Sequence, residues 1–184
     1  QYAKSVERAG NYLLSLINNI LDITRIESKK LDIIEEKFSL RQLVQEVCLI
    51  GAKQAEAKNL EFVVDVEETL PKYLEGDALH IKQVILNLIN NAVKYTKKGK
   101  VFLEVCQEEK QISFSVKDTG IGIKKEDMEA LFDMFMRADI KRHRNIEGSG
   151  LGLTIAKELC EQMGGHIQAE SIYGKGSNFT VYFP

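Results

Sequence analysis

The stretch that most constrains this chain runs from Asp77 to Tyr95, where Ile81, Val84, Ile85, Leu88, Ile89, Ala92 and Val93 recur at three- and four-residue spacing. That period is one face of a long helix, and so wide an apolar face needs an apolar surface to lie on. Asp77 stands where an N-cap belongs. Downstream, 101–105 and 112–116 alternate apolar and polar residues on either side of the charged turn 108–110, the pattern of a hairpin. Helices mixed with hairpins predict an α+β fold, a two-layer sandwich with helices on one face of a mixed, mostly antiparallel sheet.

The remaining elements follow the same rules. Residues 31–38 read as extended. Ser39 and Gln42 make a capping box, and Phe38 and Leu43 a hydrophobic staple, opening a helix that reaches about residue 58. A strand is expected at 61–66 and a short extended piece after Pro71. A helix near 126–132 leads into an irregular basic stretch with Lys141, Arg142, His143 and Arg144. A helix over 153–163 ends at Gly164-Gly165, and strands 166–171 and 178–183 follow. Before all of these, 4–29 holds no Pro and a single Gly, at position 10. Its stripe of Val6, Leu13, Leu16, Ile17, Ile20, Ile23 and Ile26, widened by Leu14 and Leu21, calls for a partner helix or a second chain. The alternative is a helix lying on the domain's own sheet.

Among 184 residues, 44% are hydrophobic and 28% charged, enough to bury a core, and the formal net charge of −2 points to neither nucleic acid nor an anionic membrane. Cys48, Cys106 and Cys160 are odd in number and lie in apolar runs, so they read as reduced core residues rather than disulfides or metal ligands. No apolar run approaches the ~20 residues needed to span a bilayer, and no signal peptide is recognisable. The expectation is a soluble, cytoplasmic segment without direct membrane contact, from a longer parent that could itself be membrane-anchored.

Chemistry is concentrated in three places. Gln83, Asn87, Asn90, Asn91 and Lys94 form a polar stripe on the helix 78–95, with Asn87, Asn91 and Lys94 on one face at i, i+4 and i+7. Asn disfavours helix, so stacking it costs propensity. Carboxamide oxygens suit Mg²⁺, which keeps waters and phosphates in its shell, and a Lys one turn on can meet a phosphate. The plain alternative is a solvated face, which more often carries Lys and Glu. Asp118-Thr119-Gly120-Ile121-Gly122 follows a strand, where a carboxylate can accept from an exocyclic amine such as that of adenine and glycines admit close approach. Alone, this is an ordinary turn. Gly148-Ser149-Gly150-Leu151-Gly152-Leu153 runs into a helix, an anion site built of backbone N–H groups. A dinucleotide fold would place such glycines after an early strand. Gly174-Lys175-Gly176-Ser177 reads first as a hairpin turn and second as a ligand contact.

In order, Asn87…Asn91-Ala92-Val93-Lys94, Asp118-x-Gly-x-Gly, Phe132-Asp133-Met134-Phe135, Gly148-x-Gly-Leu-Gly-Leu and Gly174-Lys-Gly-Ser resemble the N, G1, F, G2 and G3 boxes of sensor histidine kinases. The resemblance covers about 31–184 and implies a Bergerat ATP-binding domain, while 1–30 resembles the second helix of that family's dimerisation domain. It implies that Asn87 and Asn91 position Mg²⁺ and ATP, with Lys94 toward phosphate and Tyr95 near the ribose or adenine. Asp118 would read the adenine amine, with Gly120 and Gly122 beside the base. Residues 136–150 would form a mobile lid, with Arg137 reaching the terminal phosphate and the backbone of Gly148, Gly150, Leu151 and Gly152 holding phosphates. Phe132 and Phe135 would be packing hinges. Asn87, Lys94 and Arg137 would carry catalysis.

Within the wider superfamily the gyrase and chaperone ATPases carry a Glu where this chain has Asn87, and Asn is no general base. Such a site should hold ATP for phosphoryl transfer rather than hydrolyse it quickly. His80-Ile81, His143-Arg144 and His166-Ile167 lack the acidic neighbour of the family's acceptor histidine, so that acceptor is expected on a preceding helix outside this sequence. The implied partners are a homodimer mate, through the dimerisation helices, and a response-regulator receiver domain. A hydrolysing ATPase and a non-catalytic nucleotide-binding signalling module are the rival readings.

Overall fold

A computed structural model describes residues 32–133 and 150–184, together with residues 10, 13, 14, 17, 18, 20, 21, 23 and 24. Contacts divide the chain into two compact units, Gln1–Asp32 and Ile33–Pro184. In the first, the described residues between 10 and 24 are helical. Thr24 Oγ1 donates to the Ile20 carbonyl at 2.8 Å, and Leu13, Leu14, Ile17, Ile20 and Leu21 are exposed. The lid residues other than Gly150, including Arg137, His143 and Gly148, lie outside the described residues, as does Phe135.

The second unit is an α+β sandwich. Its strands are β1 (Glu36–Ser39), β2 (Glu61–Val66), β3 (Tyr73–Gly76), β4 (Lys100–Glu108), β5 (Gln111–Asp118), β6 (His166–Ile172) and β7 (Gly176–Phe183). Its helices are α1 (Leu40–Glu56), α2 (Ala78–Tyr95), the single turn α3 (Lys125–Met128) and α4 (Gly152–Gln162). Five strands form one sheet in the order β2-β4-β5-β7-β6, while β1 and β3 pair separately. Among the described residues only β2 and β4 run parallel, Glu61 opposite Lys100; the other ladders are antiparallel, Val101 opposite Asp118 and Phe114 opposite Val181.

The alternation of β4, β5 and β7 turns Val101, Leu103, Val105, Ile112, Phe114, Val116, Phe179, Val181 and Phe183 inward, all buried. The buried stripe of α2, from Ile81 to Val93, meets them together with Val47 of α1 and Ile155 and Leu159 of α4. Gly51 lets α1 settle closely, since a Cβ there would stand 2.7 Å from the Phe62 ring and 3.3 Å from Ile89. Cys160 lies in this core, where burial pushes its thiol pKa up to about 12, so it stays a neutral apolar filler.

Two local expectations need correction. Ser39 caps α1 by accepting from the Gln42 N–H at 3.3 Å, but the Gln42 side chain donates forward to Glu46 at 3.1 Å, so the capping box closes on one side only. The helix expected near 126–132 is the single turn α3, followed by irregular turns through Asp133. Lys124 offers no side-chain cap at its start. At the far end Thr154 Oγ1 takes the Phe132 carbonyl at 3.0 Å, tying that carbonyl to α4.

Asp77 does more than cap. It accepts from the His80 N–H at 3.0 Å, from the His80 ring Nδ1 at 2.7 Å and from the Ile34 N–H at 3.0 Å, fastening the incoming chain to the start of α2. Burial alone would raise its pKa, but the hydrogen bonds from His80 and Ile34 outweigh that and hold it below the ordinary carboxylate value. A depressed carboxyl stabilises the fold above the unfolded pKa near ~4, and that contribution is lost as pH falls through the folded value. Asp77→Ala should therefore cost about 2 kcal/mol at pH 7 in urea unfolding, and the gap to wild type should narrow below about pH 4.

Candidate functional site

The candidate site lies along α2 and around the end of β5. The first part is the exposed side of α2. A helix whose apolar face is covered keeps its other face for solvent or ligand, and here that face carries half-buried Asn87, Asn91 and Lys94 with exposed Asn90. Among the described residues, the only neighbour within 4 Å of a Cβ added to Gly152 is Asn91 Nδ2, at 4.0 Å, so the stripe looks onto the first turn of α4. That turn has no capping side chain and no carboxylate, and Gly150 before it takes a φ of +73°. Leu151 is completely buried, so of this residue only the backbone can face a ligand.

The strand end supplies the charge. Asp118 is 4% exposed and takes two backbone hydrogen bonds, from the Gly120 N–H at 2.7 Å and from the Ser177 N–H. Burial raises its pKa, and the two amide bonds only partly offset that. No cation pairs with it among the described residues. Beside it Thr96, fully buried, has a hydroxyl without a hydrogen-bond partner among the described residues. A desolvated carboxylate and an orphaned hydroxyl side by side are unusual in a native core, where each costs about 1–3 kcal/mol.

The glycines around Asp118 answer to backbone proximity. A Cβ on Gly120 would stand 2.5 Å from the Tyr95 carbonyl and 2.7 Å from Asp118 Oδ1. On Gly176, whose φ is +121°, it would stand 1.9 Å from the Asp118 carbonyl, and on Gly122 (φ +65°) 2.1 Å from the Ile172 carbonyl. The Gly174 N–H donates to the Ile121 carbonyl at 2.8 Å, and Ser171 Oγ accepts from Ile123 N–H at 2.7 Å while donating to the Gly176 carbonyl. The turn 173–176 is thus the hairpin that its glycines imply and also a brace for the 118–123 loop. Lys94 extends its ammonium over the Tyr95 ring, 4.7 Å from the centroid.

Of the residues singled out in the sequence, the structure brings Asn91 and Gly152 together, and gathers Tyr95, Asp118 and Gly120 around one point. Asn87 and Lys94 share the α2 face with Asn91. Ser177, which closes the Gly-Lys-Gly-Ser motif, is brought to Asp118 through its backbone N–H. Thr96, Ser171 and Lys58 were not anticipated, and they carry no local signal. His80 is held by Asp77, and His166 stacks on Tyr182 at 4.5 Å, so both are structural.

Residues 76–184 match the family model described as histidine kinase-, DNA gyrase B-, and HSP90-like ATPase, and the chain belongs to that family. It is 42% identical over 185 residues to the sensor protein GacS of Pseudomonas syringae pv. syringae, covering 98% of this chain and 20% of that protein. It is 38% identical over 186 residues to the circadian input-output histidine kinase CikA of Synechococcus elongatus, covering 100% of this chain and 25% of the relative. The chain therefore spans about a fifth to a quarter of the length of these relatives. Among solved structures, full-length ShkA in complex with AMPPNP superposes with a TM-score of 0.87 at 29% identity, covering 100% of this chain and 38% of that one. The catalytic domain of histidine kinase ThkA gives 0.69 at 28%, covering 82% and 95%. The fold is that of histidine kinase catalytic domains.

The glycine contacts separate positions pressed against backbone from one that is not. Gly120→Ala and Gly176→Ala should each lower unfolding free energy by more than about 2 kcal/mol, because a backbone carbonyl must move. Gly152→Ala, whose Cβ meets just Asn91 Nδ2 at 4.0 Å among the described residues, should stay within about 0.5 kcal/mol of wild type by the same urea titration.

Proposed function

We propose that this chain is the ATP-binding catalytic module of a sensor histidine kinase. It would transfer the γ-phosphoryl group of ATP to a histidine on the first dimerisation helix, for relay to a response-regulator aspartate. The observation that carries the kinase reading is the composition of α2: from Ala78 to Tyr95 there is no Asp or Glu, and Asn87 stands where a hydrolytic relative needs a water-activating carboxylate.

The residues fit the nucleotide. The Asp118 carboxylate, with no cation paired to it among the described residues, gains a donor from an adenine amine, and Thr96 Oγ1 lies on the same side of Gly120. Lys94 and the uncapped first turn of α4 offer positive potential to phosphates. They also fit Mg²⁺ held largely by phosphate and water: Asn87 and Asn91 present carboxamide oxygens, and among the described residues no cluster of three His, Cys, Asp or Glu forms a metal cage. When bound there, Mg²⁺ would neutralise charge on the phosphate oxygens. Asn87, Asn91 and Lys94 would hold the triphosphate extended, Asp118 would fix the base, and Arg137 would reach the terminal phosphate. An imidazole nitrogen from the acceptor helix then attacks phosphorus in line, forming the N–P bond as the bond to the bridging oxygen breaks and ADP leaves. Within the chain, catalysis is positioning and charge, without a covalent intermediate. The exposed apolar stripe of the N-terminal helical residues supports a homodimer mate, and among the described residues no helix is long and apolar enough to cross a membrane.

Asp118→Asn tests the site with opposite signs in two measurements. Because burial raises the folded pKa of Asp118 above its unfolded value, the fold favours the neutral form; that contribution is full below about pH 4 and lost as pH rises through the raised value. At pH 7 the charge is thus a liability that Asn removes, so the variant should be as stable as wild type or more so. Its ATP affinity by calorimetry should fall at least about tenfold. Equal affinity in two folded proteins overturns the assignment. With radiolabelled ATP, no acid-labile phosphate should form on His80, His143 or His166.

A further inference from the structure

The last turn of α2 carries both Lys94 and Tyr95, and each of its final carbonyls is taken. Thr96 N–H donates to the Ala92 carbonyl at 3.1 Å and Ile121 N–H to the Tyr95 carbonyl at 3.2 Å. The two between them, on Val93 and Lys94, are claimed by a single group: Lys58 Nζ, at 2.9 and 3.0 Å. Lys58 belongs to the turn after α1, and its direction is set by the backbone there. Asn59 adopts a left-handed φ of 54°, its N–H donates to the Glu56 carbonyl, and Leu60 N–H donates to the Ala55 carbonyl. These are the paired bonds of a Schellman ending, with Leu60 buried as its apolar anchor. The ammonium so aimed meets the negative end of the α2 dipole with two of its three donors. Burial, and then the charge of Lys94, lower the Lys58 pKa, so the two ammonium groups are close enough to interact.

We infer that Lys58 is a positioning residue of the nucleotide site: by holding the Val93 and Lys94 carbonyls it fixes the last turn of α2, and with it the direction in which Lys94 leaves the helix toward phosphate. Surface lysines usually solvate freely, whereas this one is committed to the residue that carries the phosphate-facing cation. The inference rests on the nucleotide reading above, and a double-mutant cycle separates the two.

Calorimetric titration of the chain with Mg²⁺ and ATP is run for wild type, Lys58→Met, Lys58→Arg, Lys94→Ala and the Lys58→Met/Lys94→Ala double variant. Lys58→Met should weaken ATP about fivefold, and Lys58→Arg, whose fork can serve two carbonyls, should stay within about twofold. In the Lys94→Ala background the Lys58→Met loss should shrink to under about twofold, because there is no Lys94 left to aim. A loss just as large in that background, or none in the wild-type background, overturns the inference while leaving the nucleotide site standing. A wild-type chain that binds no ATP overturns both. Should Lys58→Met fail to fold, Lys58→Gln takes its place, with the same shrinkage expected.

Discussion

A carboxylate buried at the end of the central strand, without a counter-ion among the described residues, is the constraint around which the rest of this unit is arranged. Asp118 can stay there only because backbone amides from two directions, Gly120 and Ser177, donate to it. Those amides reach it only because the positions beside them have no side chain; at Gly120 and Gly176 a single methyl group would strike backbone or the carboxylate itself. The turn after β6 is in turn held against the 118–123 loop by the Ser171 hydroxyl. A charge kept dry is costly in a core, and a fold that maintains one has been shaped by what that charge must meet.

The long elements were legible because local and global signals agreed in them. For α2, the apolar repeat and the Asp77 cap point to the same bounds that the structure has, and β2 likewise falls at 61–66. Where signals were weak or divided, tertiary contacts decided. The residues after Met128 have helix-compatible spacing, but Thr154 of α4 holds the carbonyl of Phe132. Gln42 fits the capping-box pattern, yet its side chain prefers Glu46 one turn on.

Within the site, residue types that are odd for their place could be recognised: Asn stacked on a helix, Asp before two glycines, glycines leading into a helix. What could not be read were partners joined only by folding. Nothing near Lys58 announces two carbonyls on another helix, and nothing near Thr96 announces that its hydroxyl is orphaned. Periodicity reports which face a residue occupies and is silent on what the opposite element brings.

The one parallel ladder has a consequence for how tolerant this domain is of change. Strands β2 and β4 are neighbours, and the chain that joins them contains β3 and α2. Two parallel strands need such a crossover, and the entropy of closing it is recovered when α2 packs on the sheet. The helix that presents Asn87, Asn91 and Lys94 is therefore also the strap that keeps β2 at the sheet's edge. Substitutions on its inner face act first on folding, which leaves the outer stripe and the loops that face it freer to vary.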